Sequence, residues 1–123
     1  MRNSLFRLWI GAAALAGLVA VATAALSAHA GLDTAALALL RTASEMAMWH
    51  ALALFGVGLW ARSGGGLAVQ FAGGLFLSGI LLFCGAVFLL ALAGLRLGSV
   101  APVGGTLLMA GWIALGVAAI RDR

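Results

Sequence analysis

Residues 67–95 read LAVQFAGGLFLSGILLFCGAVFLLALAGL, 29 positions in which Gln70, Ser78 and Cys84 carry the only side-chain heteroatoms and none is acidic or basic. Wound as a helix at about 1.5 Å per residue, the run is longer than the roughly 30 Å hydrocarbon layer of a bilayer. Hydrocarbon offers no partner to a backbone N–H or C=O, so a segment this apolar is expected to satisfy its own backbone as a helix. The stretch therefore reads as a transmembrane helix, and the remainder of the chain is read outward from it.

The composition agrees. Of 123 residues 65% are hydrophobic and 8% charged, against about 25% charged in soluble domains, and the mean hydropathy is +1.21. The net charge of +4 comes from seven Arg set against Asp33, Glu45 and Asp122, with no Lys. Each Arg stands between apolar runs, where it marks a membrane edge and not a nucleic-acid patch. Cys84 has no partner in the chain for a disulfide. The 18 Gly fit a membrane protein, in which small residues let helix backbones approach closely.

Upstream, Arg2 and Arg7 precede an uncharged run from Leu8 to Ala28, 21 residues long. With Ala28-His29-Ala30 before Gly31 it fits the outline of a signal peptide, but it exceeds the usual apolar core of about 7 to 15 residues. The recurrence of Ala13, Gly17, Ala20, Ala24 and Ala28 predicts a smooth packing face, so the expectation is a retained first helix. Gly31 stops it and Asp33 caps the next. Only Met46 to Ala61 is uncharged in that second helix, so Arg41 and Arg62 are taken as its interfacial ends, with Glu45 about one turn inside. Arg62-Ser63-Gly64-Gly65-Gly66 is a turn, Arg96 closes the third helix, and Pro102 stands near the start of the fourth, where no hydrogen bond is lost. The result is an all-α, single-domain membrane bundle of four helices, with spans near 8–28, 42–61, 67–95 and 103–120. Gly17, Gly74, Ser78, Gly85, Gly104 and Gly111 are expected at helix contacts. Four crossings put Arg2, Arg7, Arg62, Arg121 and Arg123 on one side and Arg41 and Arg96 on the other, which predicts cytoplasmic termini.

Ionisable groups at membrane depth are expensive and mark candidate sites. Three qualify: His29, Glu45 and His50. One reading gathers them into a polar cluster, with His29 bonded to Glu45 and His50 deeper. The other pairs Glu45 with Arg41 four residues before it and lets His29 reach water; in either, the deeply placed His50 needs a partner. Neither haem nor metal is expected, because the two His differ in depth and Cys84 adds only a third ligand. No nucleophile elbow, phosphate loop or paired catalytic carboxylates occur, so no catalytic residue is assigned. Trp9, Trp49, Trp60 and Trp112 read as interface anchors or packing residues.

Ala28-His29-Ala30, then Arg41-Thr42-Ala43 leading to Trp49-His50-Ala51-Leu52-Ala53-Leu54, then Ser78-Gly79-Ile80-Leu81-Leu82-Phe83, then Ala101-Pro102-Val103-Gly104-Gly105 with Gly111-Trp112, follow one another in this order. In that order they resemble the domain of unknown function 423 family of small bacterial inner-membrane proteins, a family that also includes the eukaryotic transmembrane protein 256. The resemblance implies a retained first helix, four membrane helices and no established activity. Where relatives often read Tyr-Gln-Met-Tyr-His, this chain has Met46-Ala47-Met48-Trp49-His50, which leans toward a structural role for that turn. The expected function is a non-enzymatic multi-pass membrane component, its partners the bilayer and either a second copy or another membrane protein, with no nucleic acid and no cofactor. The alternative is a small proton, cation or small-molecule transport module using His50 and Glu45.

Overall fold

The computed structural model describes residues 2–121. Asp122 and Arg123, expected to end the chain in water, lie outside the described residues, as does the side chain of Arg2. The elements are α1 (Arg2–His29), α2 (Thr34–Arg62), α3 (Leu67–Gly79), a π-helical turn (Ile80–Cys84), α4 (Gly85–Ala93) and α5 (Val100–Arg121). The π turn joins α3 to α4 without a break, so the described residues form four rods and no strand. The third rod is thus not a uniform α-helix, and it ends at Ala93 where Gly94 takes φ +67°, a conformation that costs a residue with a Cβ.

Three rods, Ser4–His29, Leu67–Ala93 and Val100–Arg121, are long and apolar enough to cross a membrane on composition alone. The second is a different kind of helix. Arg41, Glu45, His50 and Arg62 make it more polar, yet at 29 residues it is as long as its neighbours, and it lies between α1 on one side and the α3–α4 rod on the other. Its start is fixed locally: Asp33 Oδ1 accepts from the Ala36 N–H at 2.7 Å, satisfying one of the free donors of a helix N-terminus. At its far end Gly64 turns the chain with φ +103°. α5 packs on the far side of the third rod, so sequence neighbours are also spatial neighbours.

The contacts show how these helices hold together where lipid competes equally for every apolar side chain. Large groups enter places left open by glycine. A Cβ built on Gly58 would come within 2.7 Å of Ile10, on Gly73 within 2.8 Å of Trp9, on Gly79 within 2.6 Å of Leu108 and on Gly111 within 2.8 Å of the Phe76 ring. On Gly104 it would strike the backbone of Leu82 and Phe83 in the π turn. Between the third rod and α5 the exchange alternates, Phe76 into Gly111 and Leu108 into Gly79, as an antiparallel pair in fixed register requires.

Several expected contact positions fall elsewhere. Gly17, Gly74 and Gly85 have open space where a Cβ would go, and Ser78 is exposed. On α1 the stripe through Gly17, Ala24 and Ala28 turns away: the buried residues are Trp9, Ala13, Ala20 and Ser27, the last three of them seven residues apart. α1 is rich enough in alanine to offer two smooth faces, and the one used also carries Trp9 and Thr23, whose polar atoms find partners on other rods, and Ser27, whose hydroxyl donates to the Ala24 carbonyl of its own helix.

Arg7, Arg62 and Arg121 lie at one end of the bundle, where the Arg62 guanidinium sits 5.7 Å from the centre of the Phe6 ring and Arg121 shares a cavity with Trp60 and Leu67. Arg41, in the first turns of α2, and Arg96, after α4, mark the other. The packing leads to a direct test. Gly104→Ala and Gly111→Ala should each lower stability by about 1–3 kcal/mol through overpacking, whereas Gly116→Ala, which meets nothing, should be neutral or slightly stabilising through helix propensity; thermal unfolding in mild detergent reads the difference.

Candidate functional site

Hydrogen bonds between side chains cross from rod to rod. Between α1 and α2 the hydroxyls of Thr23 and Ser44 bond at 2.8 Å. Between α1 and α3 the Trp9 indole N–H donates to Gln70 Oε1 at 2.6 Å. Between α2 and α5 the Trp112 indole N–H donates to His50 Nε2 at 3.1 Å. Among the described residues no buried side-chain nitrogen or oxygen lacks a partner.

The last bond defines the most polar point of the interior. His50 is 4% exposed and stands roughly midway between Arg41 and Arg62 along α2. Its Nδ1 is 2.6 Å from the Met46 carbonyl oxygen. A carbonyl can only accept, so Nδ1 carries the hydrogen, and Nε2 is left as the acceptor that the Trp112 N–H requires. The two contacts together select the neutral ring with its proton on Nδ1. The Phe76 ring closes the group, tilted by 53° to the imidazole at 5.8 Å and edge-on to the Trp112 ring at 5.1 Å. Both imidazole nitrogens are thus engaged inside the bundle, and no group of three or more His, Cys, Asp or Glu gathers among the described residues.

The expected cluster of His29, Glu45 and His50 does not form. Five residues separate Glu45 from His50, which at 100° per residue turns them about 140° apart on α2; His50 looks into the bundle and Glu45 is exposed. His29 is the exposed last residue of α1. The Thr23–Ser44 bond fixes the antiparallel register and sets His29 level with Ala38, some seven residues, or about 10 Å, nearer the outer end than Glu45. The apolar windows of the two helices suggest equal depth because they ignore this offset. The Arg41–Glu45 pair is not made either: among the described residues Glu45 has neither ion pair nor hydrogen bond, and it lies with Ala20, Val21, Ala24, Ala25, Ser44 and Met48 around a shallow groove of about 410 Å³ between α1 and α2.

Trp112 and Trp9, read from sequence as interface anchors or packing residues, are the hydrogen-bond partners of His50 and Gln70. A histidine in the middle of an apolar run signals that a partner exists; nothing in the chain says that it comes 62 positions later. Cys84 is a buried free thiol at the floor of an apolar groove with Ala47 and Phe88, away from His50's polar contacts.

Against known proteins, the profile of a family described as a protein of unknown function, DUF423, matches residues 18–105. A membrane protein of Bacillus subtilis named UPF0382 membrane protein YwdK is 35% identical over 114 residues, covering 88% of this chain and 92% of its own. The UPF0382 inner membrane protein YgdD of Escherichia coli is 32% identical over 113 residues, covering 89% and 86%. A UPF0382 membrane protein of Staphylococcus epidermidis is 34% identical over 112 residues, covering 88% and 91%. No solved structure matches the chain.

The geometry at His50 leads to a measurable coupling. A double-mutant cycle of His50→Leu and Trp112→Phe should give an interaction of about 0.5–2 kcal/mol, the range of hydrogen bonds between membrane helices. Glu45→Gln, which breaks no hydrogen bond or ion pair among the described residues, should shift unfolding by less than about 0.5 kcal/mol.

Proposed function

This chain belongs to the DUF423 family, and on that premise we propose that it works without catalysis, as a multi-pass inner-membrane component that associates through its α1–α2 face with a second copy of itself. The observation that carries the reading is Glu45. It lies four residues, about 6 Å, inside Arg41, outward-facing and without a partner among the described residues. A carboxyl group held against hydrocarbon is costly unless a donor reaches it, and a neighbouring chain is the source of one. The surface around it suits such a neighbour: Ala20, Ala24 and Ala25 form a low wall over which another helix can come close, the kind of face on which membrane helices associate.

The absence of catalysis is supported by His50, whose two ring nitrogens are both engaged within the bundle. A proton or cation relay through His50 and Glu45 is the weaker reading, since the two point about 140° apart on α2; unchanged flux in proteoliposomes after replacing each by Ala would remove it. For orientation we place the end bearing Arg7, Arg62 and Arg121 in the cytoplasm, together with Arg2 and Arg123 of the sequence, by the positive-inside bias.

Self-association is tested by cysteine crosslinking in native membranes. Val21→Cys in a Cys84→Ala background should give a disulfide-linked dimer, and adding Glu45→Ala should weaken it several-fold, by about the 1–2 kcal/mol typical of a polar contact between membrane helices. A monomer alone, in membranes and by native mass in mild detergent, would overturn the proposal.

A further inference from the structure

Apart from the α1–α2 groove that holds Glu45, and sharing no residue with it, a groove of about 700 Å³ lies between α3, from Leu67 to Leu75, and α5, from Ala110 to Arg121. We propose that this groove is a seat for one anionic phospholipid, an acyl chain lying between the helices and the phosphate at Arg121.

Shape, length and charge each support this occupant. The floor is low, formed by the partly buried Ala68, Ala110 and Ala114, while Leu67, Phe71 and Ile113 stand up as walls, 87%, 66% and 69% exposed. A slot between tall walls admits a single chain; it keeps a second helix away, because close helix approach needs a flat face of small residues. Along α5 the groove runs from Arg121 to Ala110, eleven residues or about 16 Å, which is one half of the roughly 30 Å hydrocarbon layer. It begins at an interface and stops at the midplane, the reach of one leaflet's acyl chain.

The charge changes along the same axis. At its end the groove opens into a second cavity that shares Leu67, Ala68 and Arg121 with it and adds Trp60, Gly64 and Gly66, so the apolar slot terminates in a guanidinium beside a glycine turn. Among the described residues Arg121 has no acidic partner. The described acids, Asp33 and Glu45, are in the outer half of the bundle, whereas Arg7 and Arg62 stand at the same end as Arg121. A guanidinium binds phosphate oxygens through paired N–H donors, and basic clefts between membrane helices on the cytoplasmic side bind anionic headgroups.

The test uses the full chain in mild detergent, delipidated and then exposed to phosphatidylglycerol or phosphatidylcholine, with bound lipid read by native mass spectrometry. The expected result is a one-to-one phosphatidylglycerol adduct that outlasts the phosphatidylcholine one. Arg121→Gln should cut that preference by about fivefold, the effect of one basic residue on an anionic lipid, with the fold unchanged by circular dichroism. Ala114→Leu, which raises the floor, should weaken both lipids together. Equal retention of the two lipids by the native chain, or an adduct unaffected by either substitution, would overturn the proposal. So would an Ile113→Cys crosslink between two copies, which would give the groove to protein; the Val21→Cys crosslink reports on the other face and leaves the two questions separate.

Discussion

A membrane helix gains little by leaving lipid for another helix, since both surroundings are equally apolar. What binds this bundle is closeness of approach and the refusal of hydrocarbon to solvate a polar atom. The glycines at 58, 73, 79, 104 and 111 serve the first, each admitting a large side chain or a length of backbone from the rod beside it. The pairs Thr23–Ser44, Trp9–Gln70 and His50–Trp112 serve the second. Two of these hydrogen bonds join α1 to α3 and α2 to α5, rods that otherwise touch little, so they act as diagonal ties across a structure whose main contacts run between consecutive helices.

Seen this way, the position of α2 explains its composition. It is the most polar rod, and it is the one flanked on two sides by helices that cover its polar face. His50 is tolerated because Met46, four residues before it, takes the Nδ1 hydrogen along the same helix and Trp112 from α5 supplies the other bond. Glu45 is the exception. The register that hides His50 turns Glu45 outward, and a residue left unanswered inside a chain that otherwise pairs its buried polar groups is the feature that most strongly directs attention to association with another chain.

The two outward surfaces differ in relief. Beside Glu45 the wall is alanine and low, suited to a helix; between α3 and α5 it is tall and slotted, suited to a flexible hydrocarbon chain, and it ends at a guanidinium. Small against large side chains on an otherwise uniformly apolar exterior is enough to make that distinction, because dispersion contact falls off over fractions of an ångström.

The amino-acid order alone fixed the environment, the helical class, the four rods, and the turn at 62–66, since the absence of charge over a membrane's thickness and the placing of arginine and glycine leave few other solutions. Asp33 as a cap was readable for the same local reason. It also showed that His50 needs a partner. The identity of that partner, the separation of His29 and Glu45 from it, and which alanines and glycines of α1 and α3 face inward were decided by the tertiary structure. Each depends on the offset between antiparallel rods and, in the third, on a π turn in its middle. In helices as uniformly apolar and small-residue-rich as these, several offsets satisfy the hydrophobic pattern equally well, and only the meeting of particular polar atoms and particular glycines selects one.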